Sequence, residues 1–146
     1  MRKALFLTVL LLLAGCGKPQ PPVGKWEGGT QAGGTLVVAR VEIGANGLIR
    51  ISAPDVAGLD DAKPEALRNA MAEAQAELVN GWADVKPRDM EFDGKTFHEL
   101  KRVAPAMVWD KATNTMVLQV YIGRNPALPV SLRPVTEFHD SPFGAG

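Results

Sequence analysis

In an extended chain over residues 36–43, Val37, Ala39, Val41 and Ile43 point one way and Arg40 and Glu42 the other, and a second alternating run occupies residues 48–52. Strict alternation is typical of a strand with one buried face and one solvated face. A three-residue loop that holds Gly47 in a left-handed conformation pairs Glu42 with Arg50 and keeps the apolar side chains together on the opposite face. The sequence therefore predicts an antiparallel hairpin with the Glu42 and Arg50 side chains on its solvent face.

Two further hairpins are predicted in the second half of the chain. Asp93-Gly94 reads as a tight two-residue turn, which would place Met90 opposite Phe97. Residues 107–122 read as a second hairpin whose later strand is apolar on both faces, so this strand is expected to be central in the sheet. A last short strand is expected at residues 130–133.

One amphipathic helix is predicted over residues 64–80. Pro64 suits the first turn of a helix, and Gly81 is a typical stop. The apolar positions with helical spacing are Leu67, Met71, Ala74 and Leu78. We expect this stripe to cover the apolar face of the sheet. The predicted fold class is α+β, a mainly antiparallel β-sheet or small open barrel of about 6–8 strands with one central helix packed on it.

Residues 1–16 have the composition of an export signal. Arg2 and Lys3 precede an apolar run that is about half of the ~20 residues needed to span a bilayer. The run ends in Leu13-Ala14-Gly15-Cys16, which resembles the lipobox of bacterial lipoproteins. That resemblance implies cleavage between Gly15 and Cys16, with fatty acyl chains such as palmitate attached to Cys16.

The same resemblance implies a location and an order of segments. Gly17 follows the cysteine at the position where Asp would signal retention in the inner membrane, so an outer-membrane lipoprotein facing the periplasm is implied. The expected segments are a signal peptide at 1–15, an acylated and Pro-rich tether at 16–23, one β-rich domain at 24–138 and a flexible tail at 139–146.

Gly24 and Trp26 stand at the start of the expected domain. Together with residues 92–97 and the pairing of residues 108–109 with Tyr121, they resemble the lipocalin-like small barrels of exported bacterial proteins. In that family a Gly-x-Trp near the first strand closes one end of the barrel, and the barrel holds a lipid or another small apolar ligand. The predicted helix lies in mid-sequence, whereas lipocalins place theirs after the last strand. An open sheet and a closed barrel therefore both stay open.

The sequence offers few groups suited to catalysis or to metal binding. Its 146 residues include 16 basic and 16 acidic side chains, two His and one Cys, so neither a basic excess for nucleic acid nor a Cys/His zinc site is present. His98 and Glu99 are neighbours on an expected strand and would point to opposite faces. The sequence therefore predicts no enzyme, no cofactor, no metal site and no nucleic-acid partner.

Four large side chains are candidates for lining a ligand site: Trp26, Met71, Trp82 and Trp109. Core packing is the alternative, because a small domain without disulfides needs its aromatic side chains inside. Two functions stay open. One is an envelope lipoprotein with a non-catalytic binding or protein-interaction domain, and the other is a lipocalin-like carrier of a small apolar ligand or lipid. The first is favoured because the apolar residues suffice only to fill a core. In both, the lipid on Cys16 makes the membrane a partner.

Overall fold

The computed structural model describes residues 17–101 and 106–143, so the signal peptide and the acylation site expected at Gly15 and Cys16 lie outside the described residues. The elements within the described ranges are β1 (Gly24–Ala32), β2 (Thr35–Ile43), β3 (Ile49–Ser52), β4 (Asp55–Val56), α1 (Pro64–Gly81), a 3-10 helix (Trp82–Asp84), β5 (Met90–Phe92), β6 (Thr96–Glu99), β7 (Met107–Asp110), β8 (Thr115–Val120) and β9 (Leu128–Val135). Both the helix and the hairpin strands expected from the sequence are present.

The strands form one antiparallel sheet that nearly closes into a barrel. Their order is β3-β2-β1-β9-β8-β7-β6-β5, and β4 pairs with β2 beside this path. The two ends of the sheet meet where the backbone N–H of Arg88 donates to the carbonyl of Ile49, at 2.7 Å. Closure shortens the unpaired strand edges. The α+β class with an antiparallel sheet and one helix is confirmed, and the near closure favours the barrel over the open sheet.

The first predicted hairpin has the expected register. Glu42 pairs with Arg50 across β2 and β3, and Gly47 has a φ of +78° in the loop between them. The two side chains form an ion pair at 3.1 Å. Arg50 also donates to the carbonyls of Trp82 and Val85 and lies over the Trp82 ring at 4.4 Å. The pair therefore also fastens the hairpin to the end of the helix.

The register predicted for the hairpin around Asp93-Gly94 was wrong. Met90 pairs with Glu99 and not with Phe97. The reason lies in the turn, where the Asp93 carboxylate accepts the backbone N–H of Thr96 at 2.7 Å and that of the preceding residue at 2.9 Å. These bonds widen the turn beyond two residues. They also hold the pKa of Asp93 below its ordinary value, because they favour the charged carboxylate.

The inner face of the barrel is filled by one apolar core. Its buried members are Trp26, Val37, Ala39, Val41, Ile43, Ile49, Ile51, Phe97, Met107, Met116, Leu118, Val130 and Leu132. They come from seven of the strands, and the four strands that contribute more than one residue contribute residues two positions apart, as alternation requires. The interior is therefore a packed core along most of its length.

The helix lies on the outside of the barrel. Ala74 and Leu78 pack with Leu36 and Val38 on the outer face of β2, and Met71 borders this second core. The expectation that the helix covers the apolar sheet face was wrong, because that face points into the barrel. Residues 36–39 are apolar on both faces of the sheet, so their outward-facing side chains must be buried as well, and the helix buries them. No helix among the described residues has both the length and the apolar composition needed to cross a membrane.

The C-terminal segment also differs from expectation as far as the structure describes it. The backbone N–H of His139 donates to Glu27 at 2.9 Å, and the Gln75 side chain donates to Ser141 at 3.0 Å. Phe143 borders the core beneath the helix. Residues 139–143 therefore lie against the barrel and the helix and do not form a detached tail.

Candidate functional site

The two ends of the barrel differ in how they are filled. The antiparallel register places the start of β1, the loop between β2 and β3 and the turn between β7 and β8 at one end, which we call the closed end. The same register places the ends of β3, β6 and β8 at the other, which we call the open end. A ligand entering along the barrel axis would meet different side chains at each end.

Two indole rings occupy the closed end. Trp26 is buried, and its Nε1 donates to the Asn114 carbonyl at 2.9 Å. The Nε1 of Trp109 donates to the Asn114 side-chain oxygen at 3.0 Å. Gly24 leaves room for the Trp26 indole, since a Cβ at position 24 would stand 3.2 Å from the Trp26 ring. Trp26 thus lies at one barrel end.

A cavity of about 300 Å³ occupies the open end. Its apolar lining consists of Ile51, Ala53, Met90, Ala106, Leu118 and Val120, and its polar lining of Arg88, Glu99, Gln119 and Tyr121. Three depressions of about 350, 460 and 570 Å³ lie elsewhere on the surface. Of the four, we select the open-end cavity because Ile51 and Leu118 belong both to its wall and to the interior core. Polar and apolar surface share this wall about equally, and placed polar groups beside apolar surface are a usual feature of a small-molecule site.

An ion pair spans part of the rim of this cavity. Arg88, from the segment before β5, contacts the Glu99 carboxylate at 3.1 Å. The Arg88 side chain is 51% exposed, so water screens the pair, and its contribution to stability is ~0–1 kcal/mol. A ligand with a charged or strongly polar group could therefore replace one partner of the pair at small cost.

A second polar cluster lies on the outer wall of the barrel. Glu27 is fully buried and accepts hydrogen bonds from the backbone and from the ring Nδ1 of His139, with Arg133 at 3.6 Å. Arg40 stands opposite Glu27 in the sheet and donates to the His139 carbonyl at 2.8 Å. Burial lowers the pKa of Arg40, and the charges of Glu27 and Asp140 oppose that shift. The cluster joins β1 and β2 to the C-terminal segment, which gives it a structural role.

The structure does not bring together the four residues that the sequence singled out. Trp26 and Trp109 lie at the closed end, and Met71 lies on the face of the helix that packs on β2. Trp82 packs edge-to-face on Phe138 at 4.9 Å outside the barrel. None of them lines the open-end cavity. The wall of the open-end cavity is formed by inward-facing residues at strand ends. The periodicity of the sequence identifies such residues only as members of the core. Within the described ranges, no group of three or more His, Cys, Asp or Glu side chains is arranged to hold a metal ion.

Comparisons with known proteins add no relative to this picture. No protein-family model, no curated protein and no solved structure matches the chain. The features that indicate a function are therefore the geometry of the open end and the sequence of residues 1–23.

Proposed function

We propose that this chain is a lipid-anchored protein of the bacterial cell envelope, facing the periplasm, whose barrel is a non-catalytic binding domain. The open-end cavity is its binding site. The observation that carries the proposal is the continuity between the apolar barrel interior and a cavity with an ion pair at its rim. The lipobox-like residues 13–16 and the Pro-rich residues after them support the anchor.

The size of the cavity limits the class of ligand. A volume of about 300 Å³ lies at the lower end of the range of ligand sites, ~300–1,000 Å³. Buried side chains such as Phe97, Met107 and Val130 fill the barrel interior below the cavity, so a long acyl chain cannot extend from the cavity into the barrel. The ligand we propose is a compact apolar or aromatic molecule with one polar group, which would meet Arg88 or Glu99.

Protein interaction is the second candidate function, and exposed apolar side chains favour it. Leu100 and Tyr121 are both exposed although they are large and hydrophobic, and both lie at strand ends of the open end. An envelope protein could cover them and insert a side chain into the cavity. The same end of the barrel would then serve as a protein-docking site.

The anchor is tested by replacing Cys16 with Ser. In lipoproteins the cysteine sulfur carries a diacylglyceryl group, and a further acyl chain is added to the amino group that cleavage frees. Cys16→Ser has no sulfur to modify, so it should lose the lipid mass entirely and leave the membrane fraction or accumulate as uncleaved precursor. Intact-mass spectrometry and membrane fractionation measure both effects. Gln20→Ser in the tether is the matched control and should remain lipidated. A Cys16→Ser protein that still carries lipid would refute the anchor.

The binding site is tested by filling the cavity. Ala53 lines it, whereas Ala57 is exposed and stands outside it, so Ala53→Trp and Ala57→Trp form a matched pair. With anilinonaphthalene sulfonate as probe in titration calorimetry, wild type and Ala57→Trp should bind one equivalent. Ala53→Trp should bind about tenfold more weakly or worse, a loss of ~1.4 kcal/mol. Equal affinities in folded variants would exclude this cavity, and no binding by wild type would favour the protein-docking function.

A further inference from the structure

The tether approaches the barrel at its closed end. β1 begins there at Gly24, and the residues before it lie over neighbouring turns. Residues 18–21 line a surface depression together with Gly47, and the Pro19 ring stands 3.7 Å from where a Cβ on Gly94 would lie. The part of the chain that directly follows Cys16 is therefore held beside the closed end.

Chain geometry limits how far Cys16 can stand from this end. Cys16 precedes Pro19 by three positions, and an extended chain covers at most ~3.6 Å per residue, which gives a reach of about 11 Å. The nine residues of β1 run from the closed end towards the open end. At ~3.3 Å per residue and with the usual strand tilt, they span about 20 Å along the barrel axis. A lipid on Cys16 would therefore enter the bilayer from the closed-end side.

The surface of the closed end has the chemistry of a membrane-contacting face. Val23 and Leu48 are 64% and 42% exposed, and they immediately precede β1 and β3, the two strands that flank the end of β2. The tether and the closed-end turns, residues 17–23, 44–48, 93–95 and 111–114, carry Lys18, Lys95, Lys111 and Asp93, and the exposed carboxylates of Asp110 and Glu137 lie at the ends of β7 and β9 beside them. The charges of this end are therefore nearly balanced, and exposed apolar side chains beside lysines suit the surface of a bilayer.

We propose that the closed end is the face with which this protein rests on the phospholipid surface, so that the open-end cavity points away from the bilayer. The inference rests on the proposed anchor at Cys16. It deepens the proposed function by assigning the direction from which a ligand or partner reaches the cavity. Ligand or partner reaches the cavity from the aqueous compartment. A molecule extracted from the underlying bilayer would have to pass around the barrel to enter it.

Site-specific labels on the lipidated full-length protein test this orientation. The chain has one cysteine, and acylation blocks its thiol, so Leu48→Cys and Tyr121→Cys each add one reactive thiol, at the closed and open end respectively. Each variant carries a bimane label and is placed in vesicles of phosphatidylcholine and phosphatidylglycerol that contain brominated lipid. We expect about fivefold stronger quenching at Leu48 than at Tyr121, because ~20 Å of barrel separates the two ends.

Two outcomes overturn the inference, and they differ. Wild type treated with the same bimane reagent is the control. If its Cys16 thiol reacts with the reagent, the anchor is absent, and the proposed function fails together with the orientation. If wild type does not react but quenching at Tyr121 equals or exceeds that at Leu48, the anchor stands and the orientation alone is refuted. Val23→Cys supplies an independent closed-end position and should behave like Leu48→Cys.

Discussion

Replacement of Glu27 by Ala should lower the free energy of unfolding by about 3–5 kcal/mol, the usual cost of removing one partner from a buried charge cluster. Arg40 is only 4% exposed, and its Nε already lacks a hydrogen-bond partner. Without the Glu27 carboxylate, the Arg40 guanidinium would stay buried with no counter-charge beside it in the sheet. The His139 backbone N–H would lose its acceptor as well. Urea unfolding followed by circular dichroism measures the loss.

An exposed carboxylate provides the control for this prediction. Glu137 pairs with Lys25 at 2.9 Å, but its side chain is 84% exposed. Such surface pairs contribute ~0–1 kcal/mol, so Glu137→Ala should unfold nearly like wild type. If Glu27→Ala lost no more stability than Glu137→Ala, the buried cluster would not hold the C-terminal segment to the barrel. Faster amide hydrogen exchange at His139 in Glu27→Ala should accompany the loss of stability.

Replacement of Trp26 by Ala should cost about 3–5 kcal/mol of unfolding free energy, as is typical for truncating a buried aromatic side chain. The indole fills the closed end of the barrel beneath Gly24, and no neighbouring strand can move in to fill the space without breaking its ladder. The N–H donated to the Asn114 carbonyl would also be lost. Thermal and urea denaturation measure the change.

A conservative variant separates packing from hydrogen bonding at this position. Trp26→Phe keeps a large ring but removes the hydrogen bond to the Asn114 carbonyl. Asn114 is exposed, so water can replace the lost donor, and we expect this bond to account for only ~0.5–1.5 kcal/mol. We expect Trp26→Phe to unfold between wild type and Trp26→Ala. Equal stability of wild type and Trp26→Ala would show that the indole does not close the barrel.

Local pattern was sufficient for the first hairpin and for the helix. The alternation in residues 36–52 is compatible with only one loop length, because a shift of one residue would mix apolar and charged side chains on each face. The helix, predicted over 64–80, extends over Pro64–Gly81, and proline at its start acts on the backbone locally. Gly81 is not the stop that the sequence suggested, because it keeps a right-handed helical conformation and the chain continues into the 3-10 helix. Signals such as the alternation and the proline do not depend on distant partners.

Local sequence pattern gave the wrong register for the β5–β6 hairpin, where the side chain of Asp93 accepts backbone N–H groups of the turn. The turn after Phe92 looked like a two-residue turn, but the Asp93 carboxylate binds the backbone of the residues that follow and displaces the register. Side-chain size did not identify the residues of the open-end cavity either. Trp26, Met71, Trp82 and Trp109 were selected for size, whereas membership of a cavity depends on which strand ends come together.

The sequence by itself determined the antiparallel strands, the single helix and the faces on which apolar residues gather, since alternation and helical spacing are properties of neighbouring residues. Only the tertiary structure decided what covers each face. Pairing of β1 with β9 joins positions about a hundred residues apart, as in Lys25 with Val135, and this pairing helps to close the barrel. Closure turns one face of β2 inward and leaves the other for the helix. It also buries Glu27 under His139 and leaves a cavity at one end. Periodicity shows that a face is apolar or polar, but the surface that will cover it belongs to a remote part of the chain.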